Sequence, residues 1–327
     1  MNMSTESNAF NVRSYRAHEQ MYQSKLASDE GRRIVDSWHR QDTVNAWILN
    51  RELASIDPFL SVHPTRSWLT VADGRFGSEG QYIRARAAPV MVTDIADNLL
   101  IEAKRMGLID AYQKENAEHL SFADESFDYA LCVQAYHHFP RPSLAVYEML
   151  RVVREAMILI EPNDCRAPRS LKDETVFLAR MLLTKLAFRA GLRGWTRGLP
   201  SEHDYPWADS YEPVGNYVYK VSERELQKVA LGLDLPALAV RRFNIFYEKG
   251  VEFEKEEPGN DCFERIRRII DETDAAARRG IIDWGVRAIV IFKRAPAAAL
   301  TQALTAAGYR VVALPRNPYA KSGPPQP

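Results

Sequence analysis

The segment Leu69-Thr-Val-Ala-Asp73-Gly74-Arg75-Phe76-Gly77-Ser78-Glu79-Gly80 constrains this chain more than any other, because an apolar stretch runs directly into a helical pattern at about Gln81. A strand that turns abruptly into a helix needs glycine where φ is positive or where backbone must meet a ligand closely. The N–H groups exposed at the helix start then favour an electron-rich group. About twenty residues further on, the next apolar run ends in Asp94, where nucleotide-binding α/β folds set a carboxylate against ribose hydroxyls. The turn and the carboxylate together predict a nucleoside-binding cleft.

The surrounding pattern predicts the fold. The runs Trp68–Ala72, Pro89–Thr93, Phe127–Val133 and Ala156–Ile160 alternate with stretches long enough for crossover helices. Runs that are apolar on both faces suit a parallel sheet covered on both sides. Further strands are expected over Leu238–Tyr247, Val286–Phe292 and, briefly, Tyr309–Leu314. The expected fold class is therefore α/β: a doubly wound, mostly parallel seven-stranded sheet with helices on both faces, an N-terminal helical cap and an inserted helical and aromatic segment. The boundaries are 1–60 for the cap, 61–165 for the cofactor-binding half of the core and 166–221 for the insertion over the substrate. The C-terminal part of the core takes 222–295, and a helix-strand extension with a flexible tail takes 296–327.

Within the cap, helices punctuated at Asp29-Glu30-Gly31 carry a stripe of Ile34, Trp38, Val44, Trp47 and Ile48, which must pack on something. Ser222 with Glu225 predicts a capping box, and the charged segment 252–279 holds a helix with Phe263, Ile266 and Ile270 inward. Lys plus Arg and Asp plus Glu each total 43, so no net charge draws the chain to nucleic acid or anionic lipid. Cys132, Cys165 and Cys262 match no metal or redox spacing, which suits a reducing compartment. With no apolar leader or membrane-length run, a soluble, cytoplasmic protein is expected.

The glycines run Gly74-x-x-Gly77-x-x-Gly80, unlike the Gly-x-Gly-x-x-Gly of a pyrophosphate cradle, and Asp73 precedes them. A carboxylate there repels a pyrophosphate but can orient a ligand with an ammonium group, favouring S-adenosylmethionine over a nicotinamide. Here the chain resembles the class I, S-adenosylmethionine-dependent methyltransferases, especially the small-molecule group described as type 11. The resemblance covers Trp68–Asn163 and rests on ordered motifs: Val-Ala-Asp73 with Gly77, Val-Thr-Asp94-Ile95-Ala-Asp-Asn-Leu-Leu, Glu115-Asn116-Ala117-Glu118-His119 through Asp128, Val133-Gln134-Ala-Tyr-His137-His138-Phe139, and Ile158-Leu-Ile-Glu161-Pro-Asn163. It implies S-adenosylmethionine as cofactor, held by Asp73, Gly74, Gly77, Asp94, Ile95, Asn116, Ala117, Glu118 and Gln134. Two departures stand out. Arg75 and Glu79 occupy positions where the family has glycine, which predicts a rebuilt turn or weakened affinity, and Asn116 replaces a common Asp.

Methyl transfer from a sulfonium asks the protein chiefly to align the acceptor, exclude water and take a proton where the acceptor carries one. Candidate catalytic residues are His137 and His138 after the fourth strand of the family's core, Asp164 past the fifth, and His203 in an aromatic-rich stretch with Asp204, Tyr205, Trp207 and Tyr211. Glu161 stands at the same rim. No His-x-x-x-His pair occurs and adjacent histidines ligate one ion poorly, so no metal is expected. The first-choice acceptor is a hydroxyl of a sugar or another secondary metabolite, under a cover containing Tyr15, Tyr22, Trp38 and Trp47. Arg189, Arg193, Trp195 and Arg197 keep an RNA or protein substrate as an alternative, although a nucleic-acid enzyme would carry a broader basic track. A catalytically inactive ligand-sensing or interaction subunit is the third reading. The partner expectation is a small-molecule acceptor, with no membrane, nucleic acid disfavoured and a homodimer left open.

Overall fold

The computed structural model describes residues 3–164, 212 and 216–319, with side chains from residue 10 onward. Helices α1 (Met3–Leu26), α2 (Asp29–Ser37), α3 (Val44–Leu53) and α4 (Asp57–Val62) precede the sheet. The break between α1 and α2 falls at Ala27–Ser28, just before the expected Asp29-Glu30-Gly31, and Ser28 caps α2 by accepting from the Gly31 N–H at 3.1 Å. Gly31 lies inside α2, where a Cβ would sit 2.0 Å from the Lys25 carbonyl, so the glycine lets α1 and α2 meet closely.

The core alternates β1 (Trp68–Val71), α5 (Ser78–Arg84), β2 (Val90–Asp94), α6 (Asn98–Arg105), β3 (Tyr112–Lys114), β4 (Phe127–Val133), α7 (Pro142–Val152) and β5 (Val153–Pro162). After the insertion come α8 (Glu223–Gly232), β6 (Ala237–Phe243), α9 (Asp261–Arg278), β7 (Val286–Phe292), α10 (Ala298–Ala306) and β8 (Arg310–Ala313). The sheet has eight strands in the order β3-β2-β1-β4-β5-β7-β6-β8. Strands β3, β2, β1, β4 and β5 pair in parallel, while β7 runs antiparallel between β5 and β6, and β8 pairs antiparallel on β6. One strand more than the seven expected accounts for the count, and the extension strand is part of the same sheet. The short β3 is too polar to read as a strand on its own.

The sixth strand also ends before Tyr247. Asn244 leaves the ladder because its backbone N–H and side-chain amide both donate to Asp274 of α9, at 3.2 and 2.9 Å. The capping box forms as expected, with Ser222 Oγ accepting from the Glu225 N–H at 3.1 Å.

Strand alternation divides the core. Leu69, Val71, Ala130, Cys132, Met157, Leu159, Ile289 and Ile291 face Met149 and Leu150 of α7 and Leu226 and Ala230 of α8. Trp68, Tyr129, Leu131, Ile158, Ile160, Val290 and Phe292 face Phe59 of α4, Ile83 of α5 and Leu300 and Leu304 of α10. The cap stripe splits between two places. Val35 and Trp38 join Tyr22 against α6, whereas Val44, Trp47 and Ile48 pack with Phe263, Ile266 and Ile270 of α9. Trp47 is thus a core residue, edge-on to Phe263 at 5.3 Å, and not part of an acceptor cover. Among the described residues no helix is long and apolar enough to cross a membrane. Cys132 and Cys262 are free thiols.

Candidate active site

Parallel strands that all end at one edge deliver their following residues to a common cleft. β1 brings Asp73 and Gly74 there, β2 ends in Asp94, β4 is followed by Gln134 to His138, and β5 supplies Glu161. Asp73 and Asp94 lie close enough for each carboxylate to feel the other's charge.

Asp73 is 2% exposed, and its carboxylate accepts the Gly80 N–H at 2.9 Å and the Glu79 N–H at 3.3 Å. Burial pushes its carboxyl well above the usual range. The side chain expected to meet an ammonium group is turned instead onto the first turn of α5, so it shapes the loop. That loop is rebuilt where glycines are missing. Ala72, Phe76 and Gly77 all take left-handed backbone, with φ of 61°, 57° and 67°. Arg75 swings outward, its guanidinium 5.1 Å from the Trp38 ring, and Glu79 is buried beside Ser78.

Gly74 and Asp94 come together at the position where the nucleoside is expected, with the Tyr22 ring packed against them. Asp94 is buried, accepts the Ala96 N–H at 2.7 Å through Oδ1, and is pushed up to about 6 by desolvation. A Cβ on Gly74 would stand 2.6 Å from Asp94 Oδ2 and 2.6 Å from the Tyr22 ring, so bare backbone is required beside the carboxylate. The Gly74 and Ile95 N–H groups also bond to this carboxylate, which sits where ribose hydroxyls are expected. Ile95 is half-buried next to it, Ala117 is buried, and Asn116 accepts the Glu118 N–H at 3.0 Å while its side chain also bonds to Tyr15.

Glu118 departs from its expected role. Oε1 accepts the Arg141 N–H at 2.6 Å, and Oε2 accepts from Tyr15 Oη at 2.6 Å and Arg141 Nε at 2.7 Å. Both oxygens are thereby engaged in fastening α1 to the start of α7, and the cofactor assignment for Glu118 is withdrawn on that ground.

Gln134 has φ 51° and donates from Nε2 to Glu52 Oε1 at 2.6 Å. Glu52, on α3, was not legible as a site residue. It is 4% exposed, and burial pushes its carboxyl up to about 7, with the Glu161 charge adding to the rise and the Gln134 bond opposing it. Because the folded form holds this proton above the ordinary value of 4.5, stability should fall as pH rises from there through about 7 and then level off. The full displacement is worth about 3 kcal/mol. Glu52→Gln keeps the acceptor and removes the ionisation. Denaturant unfolding should therefore show a variant nearly matched to the parent at pH 4.5 and about 3 kcal/mol more stable at pH 8. A constant difference across that window would reject the buried-acid assignment.

At the next strand ends, Glu161 is fully buried, and its Oε1 accepts the N–H groups of Ala135 and Tyr136 at 2.7 and 2.8 Å. Its Oε2 lies 2.7 Å from His137 Nδ1. A carboxylate oxygen only accepts, so Nδ1 carries the proton and Nε2 holds the lone pair. His138 turns elsewhere, bonding through Nδ1 to Glu212. Asp164 is exposed and electrostatically coupled to Glu225, while its backbone N–H donates to the Val221 carbonyl at 2.8 Å. It is not gathered with the histidines. His203, with Asp204, Tyr205, Trp207 and Tyr211, lies outside the described residues, as do Arg189, Arg193, Trp195, Arg197 and Cys165.

α1 crosses this edge. Tyr15, His18 and Tyr22 reach Glu118, Glu212 and Gly74 respectively. Their i, i+3, i+7 spacing is the signal that could have found His18, since it places all three on one helical face.

Comparison with known proteins adds a family. The family model described as a methyltransferase domain matches residues 71–160. No curated protein matches the chain significantly in sequence. Among solved structures, magnesium protoporphyrin IX methyltransferase of Synechocystis PCC 6803, with bound SAH, is 13% identical; the alignment has a TM-score of 0.45 and covers 86% of this chain and 98% of that one. An S-adenosylmethionine-dependent methyltransferase of Thermotoga maritima is 15% identical with a TM-score of 0.40, over 74% of this chain and 89% of that one. One from Archaeoglobus fulgidus is 14% identical with a TM-score of 0.42, over 74% and 92% respectively.

Proposed function

Since residues 71–160 are a methyltransferase domain of the class I, S-adenosylmethionine-dependent type 11 group, we propose that the chain methylates a hydroxyl of a small-molecule acceptor, a sugar or another secondary metabolite. The observation that carries this reading is the His137–Glu161 pair, 2.7 Å apart at the strand edge that also holds Asp94. When bound, S-adenosylmethionine supplies an activated methyl on a positively charged sulfur. Asp94 would accept the ribose hydroxyls, the bare backbone at Gly74 would admit the nucleoside, and Ile95, Asn116 and Ala117 would flank the adenine.

His137 is the proposed general base. Glu161 fixes the ring and keeps the proton on Nδ1, so Nε2 is the basic atom available to an acceptor hydroxyl. The carboxylate also stabilises the imidazolium formed when that proton is taken, as in other carboxylate–histidine pairs. An alcohol needs this help because it is a weak nucleophile while protonated; a free amine needs it less. That asymmetry supports oxygen over nitrogen as the methylated atom. A site closed by α1 and its tyrosines suits a small acceptor better than a duplex.

A panel of sugars, phenols and amines incubated with labelled methyl donor tests the reading. Label should pass to a hydroxyl compound. Transfer confined to amines, RNA or protein would overturn the acceptor class.

A further inference from the structure

We propose that His18, His138 and Glu212 ligate one divalent transition-metal ion of the zinc class. Three remote parts of the chain meet here: α1, the turn after β4, and residue 212. One ligand atom from each lies within 4.8 Å of the others. His18 Nε2 stands 3.3 Å from Glu212 Oε2, and His138 Nδ1 donates to Glu212 Oε1, so a bound ion would take the place of the proton on His138 Nδ1. Two imidazole nitrogens and a carboxylate form a borderline donor set, the type used by zinc and its first-row neighbours and poorly suited to Mg²⁺.

The surroundings hold the ligands in register. His18 Nδ1 is 2.9 Å from the Ser14 carbonyl, which only accepts, so Nδ1 is the protonated nitrogen and Nε2 is turned toward Glu212. A hydrogen bond from the second nitrogen to a carbonyl is the usual way a metal-binding imidazole is oriented. Asn216 spans the same junction, its Nδ2 donating to Ser14 Oγ at 2.7 Å and to the His138 carbonyl at 2.9 Å. The Glu212 N–H in turn donates to the Asn216 carbonyl at 2.8 Å.

Glu212 Oε2 is buried and faces His18 Nε2 at 3.3 Å; against the lowering by burial, Glu212 raises the His18 pKa, so the ring pairs with it when protonated, whereas the neutral ring aims a lone pair at it. A metal ion between the two atoms takes the place of that proton and satisfies both. The spacing suits it, because ligands about 2.0–2.2 Å from a tetrahedral ion stand a little over 3 Å apart. A bound ion would clamp α1 across the strand edge. Three protein ligands also leave a fourth position for water or an incoming oxygen.

Calorimetry on the chelator-treated full chain, with Zn²⁺ alone as the titrant, tests the site. One equivalent should bind and raise Tm, and Mg²⁺ should do neither. His18→Ala, His138→Ala and Glu212→Gln should each weaken binding about 100-fold, while His119→Ala, at an exposed histidine outside the cluster, should leave it unchanged. Loss of saturable Zn²⁺ binding in the parent overturns the proposal, as does binding undiminished by the three substitutions. Cobalt substitution of the unaltered chain is a second readout that does not depend on variants folding. Intense visible bands of a four-coordinate ion are expected, and their absence overturns the site. Neither measurement requires methyl transfer, so the site can fail while the proposed activity stands, and the reverse.

Discussion

Asp94→Ala is expected to weaken binding of both S-adenosylmethionine and its demethylated product by about 100-fold or more, since two hydrogen bonds to a charged acceptor contribute about 1.5–3 kcal/mol each. The substitution removes the only part of the second strand's end that can accept two adjacent hydroxyls. It also removes a buried acid held up to about 6, so the folded chain should not be destabilised at neutral pH. Asp94→Asn, which retains one acceptor oxygen, should fall between the parent and the alanine variant. Calorimetry with each ligand reads the effect, and circular dichroism checks the fold. An alanine variant with the parent's Kd would remove Asp94 from the cofactor site and leave it as an acceptor of the Gly74, Ile95 and Ala96 N–H groups.

His137→Ala should lower kcat by about 10²–10⁴-fold, the usual contribution of a positioned general base, with the Kd for the cofactor unchanged. Glu161→Gln separates positioning from proton transfer. The ring stays in place but no longer has a carboxylate to stabilise its charged form, so kcat should fall less than in the alanine variant. The low-pH limb of the rate profile should also shift downward in pH, because imidazolium becomes a stronger acid without its partner. Single-turnover methyl transfer at saturating acceptor provides both readings. Equal rates in His137→Ala and the parent would assign the His137–Glu161 pair to holding the turn after β4, where Glu161 already accepts two backbone N–H groups.

Of the residues expected at the site, those that the fold gathers at the strand edge are the ones whose placement is local. Gly77, at the start of α5, needs left-handed backbone, and its spacing from the apolar run shows it. Asp94 follows from being the last residue of an apolar run. Gln134 and His137 follow from standing just past another. Glu118 misled because its type and position suit a ribose or amine, while the residues that engage it, Tyr15 and Arg141, are far away in the chain. Asp73 misled similarly: the side chain before the turn caps α5, a use that depends on the loop's path through Ala72 and Phe76. Metal binding was disfavoured on histidine spacing, yet spacing reports only ligands carried by one element.

Period and order in the chain by themselves determined the layered α/β sheet and the capping of α8, and its ordered motifs carry the resemblance to the methyltransferases. Apolar alternation and turn chemistry act between near neighbours, and a linear pattern records them. Only the tertiary structure decided that α1 lies across that edge, that Glu52 is buried beside Gln134, that Glu161 grips His137, and that His18, His138 and Glu212 converge. Each of those depends on burial and charge shared among segments that touch only when the whole sheet has formed.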